Sequence, residues 1–221
     1  MSENIVEGSG GKIHRLKEAA IEKWPFSKEH KFKERGDRLE RWVNQGLDLL
    51  RGQRFQDAVD FFENREMAER LGISWGGVYD MPLRVTSPEE FGENIGYCAS
   101  KSKFTTGFGD SGSIYNAREK YWPVSIHFGR IIALDPDPNA GIPDSVHQDM
   151  ALVHAEEWLH ALQYFRGKPL TGRIYSDLPG ESAQEEIDIA AYLLDHRVEL
   201  TPKFLARYAR SDVLTKAGYP V

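Results

Sequence analysis

At 221 residues, 40% of them hydrophobic, the chain is long enough to bury a core and suits one domain or one domain with an appendage. A formal net charge of -6, with 28 Lys and Arg spread among 34 Asp and Glu, excludes nucleic acid as the main partner, because phosphate binding needs a concentrated basic face. The single Cys98 excludes an internal disulfide framework and a Cys-rich zinc site, and no apolar run approaches the ~20 residues that span a bilayer, so a cytoplasmic protein with no membrane partner is expected.

Residues 1–11 are polar and Gly-rich, carry no apolar stretch of the secretory kind, and are expected to be flexible. Residues 12–72 are expected to form a helical extension. Within it, residues 12–23 read as a short amphipathic helix with Ile13, Leu16, Ala20 and Ile21 on one side, broken by Pro25. Ser27 is placed to cap a second helix over residues 28–51, where Leu39, Trp42, Val43, Leu47 and Leu50 recur at helical spacing. Its basic residues are interleaved with Glu29, Glu34, Asp37 and Glu40, which marks a solvated face rather than a docking patch. A third helix over residues 55–71 carries Phe55, Val59, Phe62, Met67 and Leu71, with Gly72 as its stop.

From residue 73 to 221 the pattern predicts an α+β domain with a small antiparallel or mixed sheet. Residues 78–85 read as a strand that Pro82 restricts to an edge or an interruption, Ser87-Pro88 as the start of a short helix, and residues 95–100 as another strand. Residues 101–116 read as a long loop, whose Gly107, Gly109 and Gly112 lack the flanking strand, helix and lysine of a phosphate loop. Residues 124–128 and 131–135 are separated by Gly129-Arg130 and predict a hairpin with a type II′ turn. Asp144 or Ser145 is expected to cap a helix that runs to Arg166 and stops at Gly167. A loop over residues 168–179, a largely buried helix over residues 181–199 and a final helix over residues 202–213 complete the chain.

The helix ending at Arg166 concentrates the chemistry. Glu156 and His160 are i,i+4 neighbours on one face, with Glu157 beside them at i,i+3 from His160. A hydrolytic metal site needs three protein ligands, an open position and a carboxylate base beside the water. Glu156 and His160 provide two ligands, Glu157 stands where the base is needed, and Glu185, Glu186 and Asp188 on the buried helix are the candidates for the third. His154, six residues before His160, lies about 240° round the helix and so is not a ligand with it. It shares a face with Glu157, where it can make a contact behind the base.

The run Glu156-Glu157-Trp158-Leu159-His160-Ala161-Leu162-Gln163 resembles the active-site helix of zincin metallopeptidases, whose pattern is H-E-x-x-H, and Glu186-Ile187-Asp188-Ile189-Ala190-Ala191 is similar to the second helix of the gluzincins. The resemblance covers roughly residues 124–194. It implies a zincin-like fold with the sheet beside an active-site helix, a peptide or protein as substrate or partner, His160 and Glu186 as ligands and Glu157 as general base. In the loop between the two helices, Tyr175 and Arg173 stand where such enzymes draw oxyanion stabilisers, and Asp188 is the remaining carboxylate near the site. Glu156 departs from the pattern, since it occupies the first histidine's position.

The departure has a direction. Two histidines and one carboxylate leave a zinc centre with a net positive charge, whereas Glu156, His160 and Glu186 leave it neutral, so it polarises water less. More oxygen donors also favour harder cations, making one divalent ion, zinc first and Mn²⁺ second, the expected cofactor. The alternative is a non-catalytic zincin-like binding or scaffold protein that has lost its metal, with Glu156 and Glu186 paired to a protonated His160. A diiron carboxylate helix bundle would need a second E-x-x-H, which the sequence lacks. His127 is placed on a strand, His196 at a helix end suited to terminal hydrogen bonding, and Cys98 has no histidine base near it in sequence.

Overall fold

The computed structural model describes residues 6–8, 11–15, 32–84, 87, 101–105, 125–134, 143–175, 181–207 and 211–221. Among them are seven helices and six strands arranged in two three-stranded sheets, a mixed architecture of the α+β kind that the sequence pattern predicts. The chain divides into two compact units, Met1–Gln53 with Trp158–Val221, and Arg54–Glu157.

In the first unit, β1 (Val6–Gly8) pairs antiparallel with β2 (Gly11–Arg15), and β2 pairs antiparallel with β6 (Arg173–Tyr175), so that Ile13 lies opposite Tyr175. The helix expected over residues 12–23 is therefore a strand where it can be seen, and the expected loop over residues 168–179 contains the strand that pairs with it. Both errors have one cause. The pairing partners are some 160 residues apart, and only such a partner makes extended backbone favourable in a segment with a single apolar residue, Ile13. Residues 16–31 lie outside the described residues.

Helix α1 (Lys33–Arg51) buries Gly36, Leu39, Trp42, Val43, Gly46, Leu47 and Leu50, the stripe that the sequence spacing predicts. Gly36 costs helix propensity, about 1 kcal/mol relative to Ala, and a Cβ there would make only ordinary van der Waals contact with Arg166 Cγ at 3.5 Å and Phe165 Cβ at 3.6 Å. Trp42 stands edge-on to Trp158, ring centres 4.8 Å apart, and Phe32 packs on Tyr164 and Phe165. Helix α5 (Glu181–Asp195) buries Ile187, Ile189, Ala190, Ala191 and Leu193. The final helix expected over residues 202–213 appears as α6 (Pro202–Arg207) and α7 (Ser211–Lys216).

In the second unit the expected third helix is two, α2 (Phe55–Phe62) and α3 (Arg65–Leu71). The break has a local cause: the Asn64 side chain accepts a hydrogen bond from Met67 N at 2.8 Å and starts α3 as its cap. Gly72, with φ of 70°, ends α3 as predicted. The sheet that follows has the order β3-β5-β4, with β3 (Ser74–Arg84) parallel to β5 (Ser125–Leu134) and β4 (Lys101–Thr105) antiparallel to it. Pro82 sits on β3, an edge strand, as its missing N–H requires.

Two expectations are overturned here. Residues 101–105 are strand rather than loop, and the hairpin centred on Gly129-Arg130 is one continuous strand. A type II′ turn needs a left-handed glycine, and Gly129 is not among the residues with positive φ; it is paired to Tyr79 on one side and Lys101 on the other. Backbone partners on both flanks satisfy the chain in extended form, so the turn signal has no role. The strand expected over residues 95–100, the helix expected after Ser87, the glycines at 107–112 and Cys98 lie outside the described residues.

Helix α4 (Asp144–Arg166) ends as predicted, with Gly167 at φ 60° beyond its last turn, but starts slightly earlier, since Asp144 is its first residue rather than its cap. Every position from Met150 to Leu159 is buried, so its polar groups are held inside the protein rather than on a solvated face.

Candidate metal centre

Five polar or charged side chains are buried among the described residues: His154, Glu156, Glu157, Gln163 and Asp188. Four of them lie on α4 and one on α5. Buried groups of this kind persist only when hydrogen bonds or ions compensate their lost hydration.

The three residues expected as ligands are brought together. One ligand atom from each of Glu156, His160 and Glu186 lies within 4.8 Å of the other two. Ligand atoms at ~2.0–2.2 Å from a four-coordinate ion stand ~3.3–3.6 Å apart, so the three would draw together by up to about 1.5 Å to close on one divalent cation. Glu156 is 1% exposed, while the side chains of His160 and Glu186 retain 14% and 28%, so the group is anchored inside and open to water on one side. His160 Nε2 is 3.5 Å from Glu186 Oε1. Glu156 and His160 come from successive turns of α4, and Glu186 from α5, whose small residues Ala190 and Ala191 are fully buried.

Behind His160 stands a chain of hydrogen bonds. His160 Nδ1 meets Gln163 Oε1 at 3.2 Å, and Gln163 Nε2 donates to the Glu185 carbonyl at 3.0 Å and to Asp188 Oδ2 at 2.9 Å. Asp188 also accepts from Leu170 N at 2.7 Å, Thr171 N at 3.0 Å and Thr171 Oγ1 at 2.6 Å. Burial pushes the Asp188 carboxyl above the usual carboxylate range, opposed by the bonds from Thr171, Gln163 and Leu170.

The other expected residues are placed as follows. Glu157 follows Glu156 on α4 and is buried. His154 is fully buried, with Nε2 2.9 Å from Glu63 Oε1 and its ring 4.3 Å from that of Phe128. Tyr175 belongs to β6, where its backbone faces Ile13. Arg173 donates to Tyr219 Oη and lies over the Tyr219 ring, so the C-terminal segment engages the group expected to steady an oxyanion. His127 sits on β5 opposite Lys103, on the central strand of its sheet. His196 Nδ1 lies 2.8 Å from the Tyr192 carbonyl at the end of α5, as its position predicts.

In the sequence Gln163 has a place in the zincin-like run but no role, and Thr171 and Glu63 have neither. Gln163 had a usable signal, since it stands at i,i+3 from His160 on the same face. Thr171 and Glu63 had none, being 17 and 91 residues from the groups they meet. No family model matches the chain, and neither a curated protein nor a solved structure matches it.

Proposed function

We propose that this protein is a metal-dependent hydrolase of zincin-like type that acts on a peptide-type bond, with Glu156, His160 and Glu186 as metal ligands and Glu157 as general base. The observation that carries the reading is the convergence of the three ligand atoms to within 4.8 Å of one another. Charge supports it. Two ionised carboxylates and a neutral imidazole carry two negative charges, which one divalent cation neutralises and a single proton on His160 only halves. Oxygen and imidazole donors suit zinc and also Mn²⁺.

A divalent ion held there supplies Lewis acidity toward the scissile carbonyl. The chain's own contribution is positional and protonic. Glu157, one residue from a ligand on a rigid helix, accepts the proton of the attacking water on its carboxylate and returns it to the departing amine. The low exposure of Glu156 and Glu157 keeps competing water from their inner side.

The second reading, a zincin-like protein without metal, draws on the 3.5 Å approach of His160 Nε2 to Glu186 Oε1, which a proton alone makes an ion pair. Metal content separates the two. The hydrolase is expected to purify with stoichiometric metal, to gain thermal stability when the chelated protein receives Zn²⁺ or Mn²⁺, and to cleave members of a peptide library. Absence of bound metal, with neither ion raising stability or activity, rules it out.

A further inference from the structure

We infer that Gln163 is a positioning residue that sets two of the three candidate ligands at once: its Oε1 fixes the proton of neutral His160 on Nδ1, and its Nε2 ties α4 to the backbone beside Glu186. The inference rests on the metal-centre reading for its purpose, and on hydrogen-bond chemistry for its content.

A glutamine amide can turn either way, so its neighbours decide which atom faces which. Two acceptors, the Glu185 carbonyl and Asp188 Oδ2, lie 3.0 and 2.9 Å from one end of the Gln163 amide. The Glu185 carbonyl has no hydrogen to donate, and Asp188 Oδ2 is already an acceptor for Leu170 N. That end is therefore NH₂. The other end is the oxygen, an acceptor only, and it lies 3.2 Å from His160 Nδ1. Nδ1 must carry the hydrogen. On the neutral ring, Nε2 then keeps its lone pair on the side where Glu186 stands at 3.5 Å.

The second half of the role is mechanical. Glu185 precedes Glu186 on α5, and the Gln163 bond to its carbonyl fixes where that turn of α5 stands relative to His160. Asp188, held from the loop by Leu170 and Thr171, prevents the amide from turning over. An imidazole that can ligate only through Nε2, and a carboxylate indexed to it through one amide, is the arrangement in which a partner behind the ligand raises metal affinity.

The test is long-range ¹H–¹⁵N spectroscopy of the full-length, chelated protein at a pH where His160 is neutral, with its signals assigned by their loss in His160→Ala. The expected spectrum has protonated Nδ1 and unprotonated Nε2, turning to a mixture in Gln163→Leu. Protonated Nε2 in the unsubstituted protein overturns the inference without any variant having to fold. Thr171→Val, a milder change, is expected to increase tautomer mixing by loosening Asp188, and an unchanged tautomer in both variants also overturns it. In calorimetric titration with Mn²⁺ and Zn²⁺, Gln163→Leu is expected to bind roughly 10–100-fold more weakly, and equal affinity refutes the positioning role. Failure of the unsubstituted protein to bind either ion removes the metal reading alone, because the tautomer is measured without metal.

Discussion

Glu156 changes the charge of the candidate centre before it changes its shape. Replacing it by histidine restores the H-E-x-x-H pattern and a net positive centre, so Glu156→His is expected to tighten Zn²⁺ binding and to bring hydrolysis in at lower pH, read by calorimetry and by a pH–rate profile. Glu157→Gln is expected to lower hydrolysis about 10²–10⁴-fold while leaving metal content unchanged. Loss of metal together with activity would instead make Glu157 a support for the site. The ligand pair on α4 was legible because i,i+4 spacing is local, and Glu186 was singled out by its resemblance to a second-helix pattern. The hydrogen bonds that orient the pair were not, since Gln163 and Asp188 are 25 residues apart and nothing in either local pattern announces the other. His154 shows the same limit: its partner Glu63 stands 91 residues away.

At the scale of elements, Asp188 joins α5 to the connection that follows α4. Asp188→Ala leaves the N–H groups of Leu170 and Thr171, the Thr171 hydroxyl and the Gln163 amide without that acceptor, and should cost about 3–5 kcal/mol in denaturant titration. In the sheet, a Cβ at Gly76 would stand 2.7 Å from His127 Cβ and 3.1 Å from the Ile126 carbonyl, so Gly76→Ala should cost about 1–3 kcal/mol by forcing β3 away from β5. A Gly76→Ala protein of unchanged stability would mean that the strands separate freely there. Helices α1, α4 and α5 were readable from their apolar spacing and α4 also from its stop at Gly167, whereas α5 ends at Asp195 rather than near residue 199; β3 and its edge position were readable from Pro82. The misreadings at residues 12–15, 101–105 and 129–130 share a physical origin, since a strand is stabilised by partners distant in sequence, whereas helix and turn signals are written within a few residues.

At the scale of the whole molecule, Tyr192 couples stability to alkaline pH. Burial pushes its hydroxyl up to about 12, with the charge of Glu40 adding to the effect and that of Arg166 opposing it, and the hydroxyl donates to Asn44 at 3.3 Å. A tyrosine whose folded value lies above its ordinary 10 stabilises the fold fully below pH 10 and loses that contribution as pH rises toward 12. Roughly 3 kcal/mol should vanish as pH passes through that range, and Tyr192→Phe should show a correspondingly shallower decline in denaturation midpoints.

The parallel pairing of β3 with β5 also bears on how the protein acquires its structure. The paired β3 residues meet partners about fifty positions further along, Ser74 with Ser125 and Arg84 with Leu134, and such closures are slow because chain entropy is lost before any contact is gained. On the ribosome, β3 emerges and must wait for β5, with its hydrogen-bonding edge bare in the interval. Helix α4, which comes after β5 in the chain, carries Glu156 and His160 in its second half. The candidate ligands are therefore synthesised after all three described strands of that sheet.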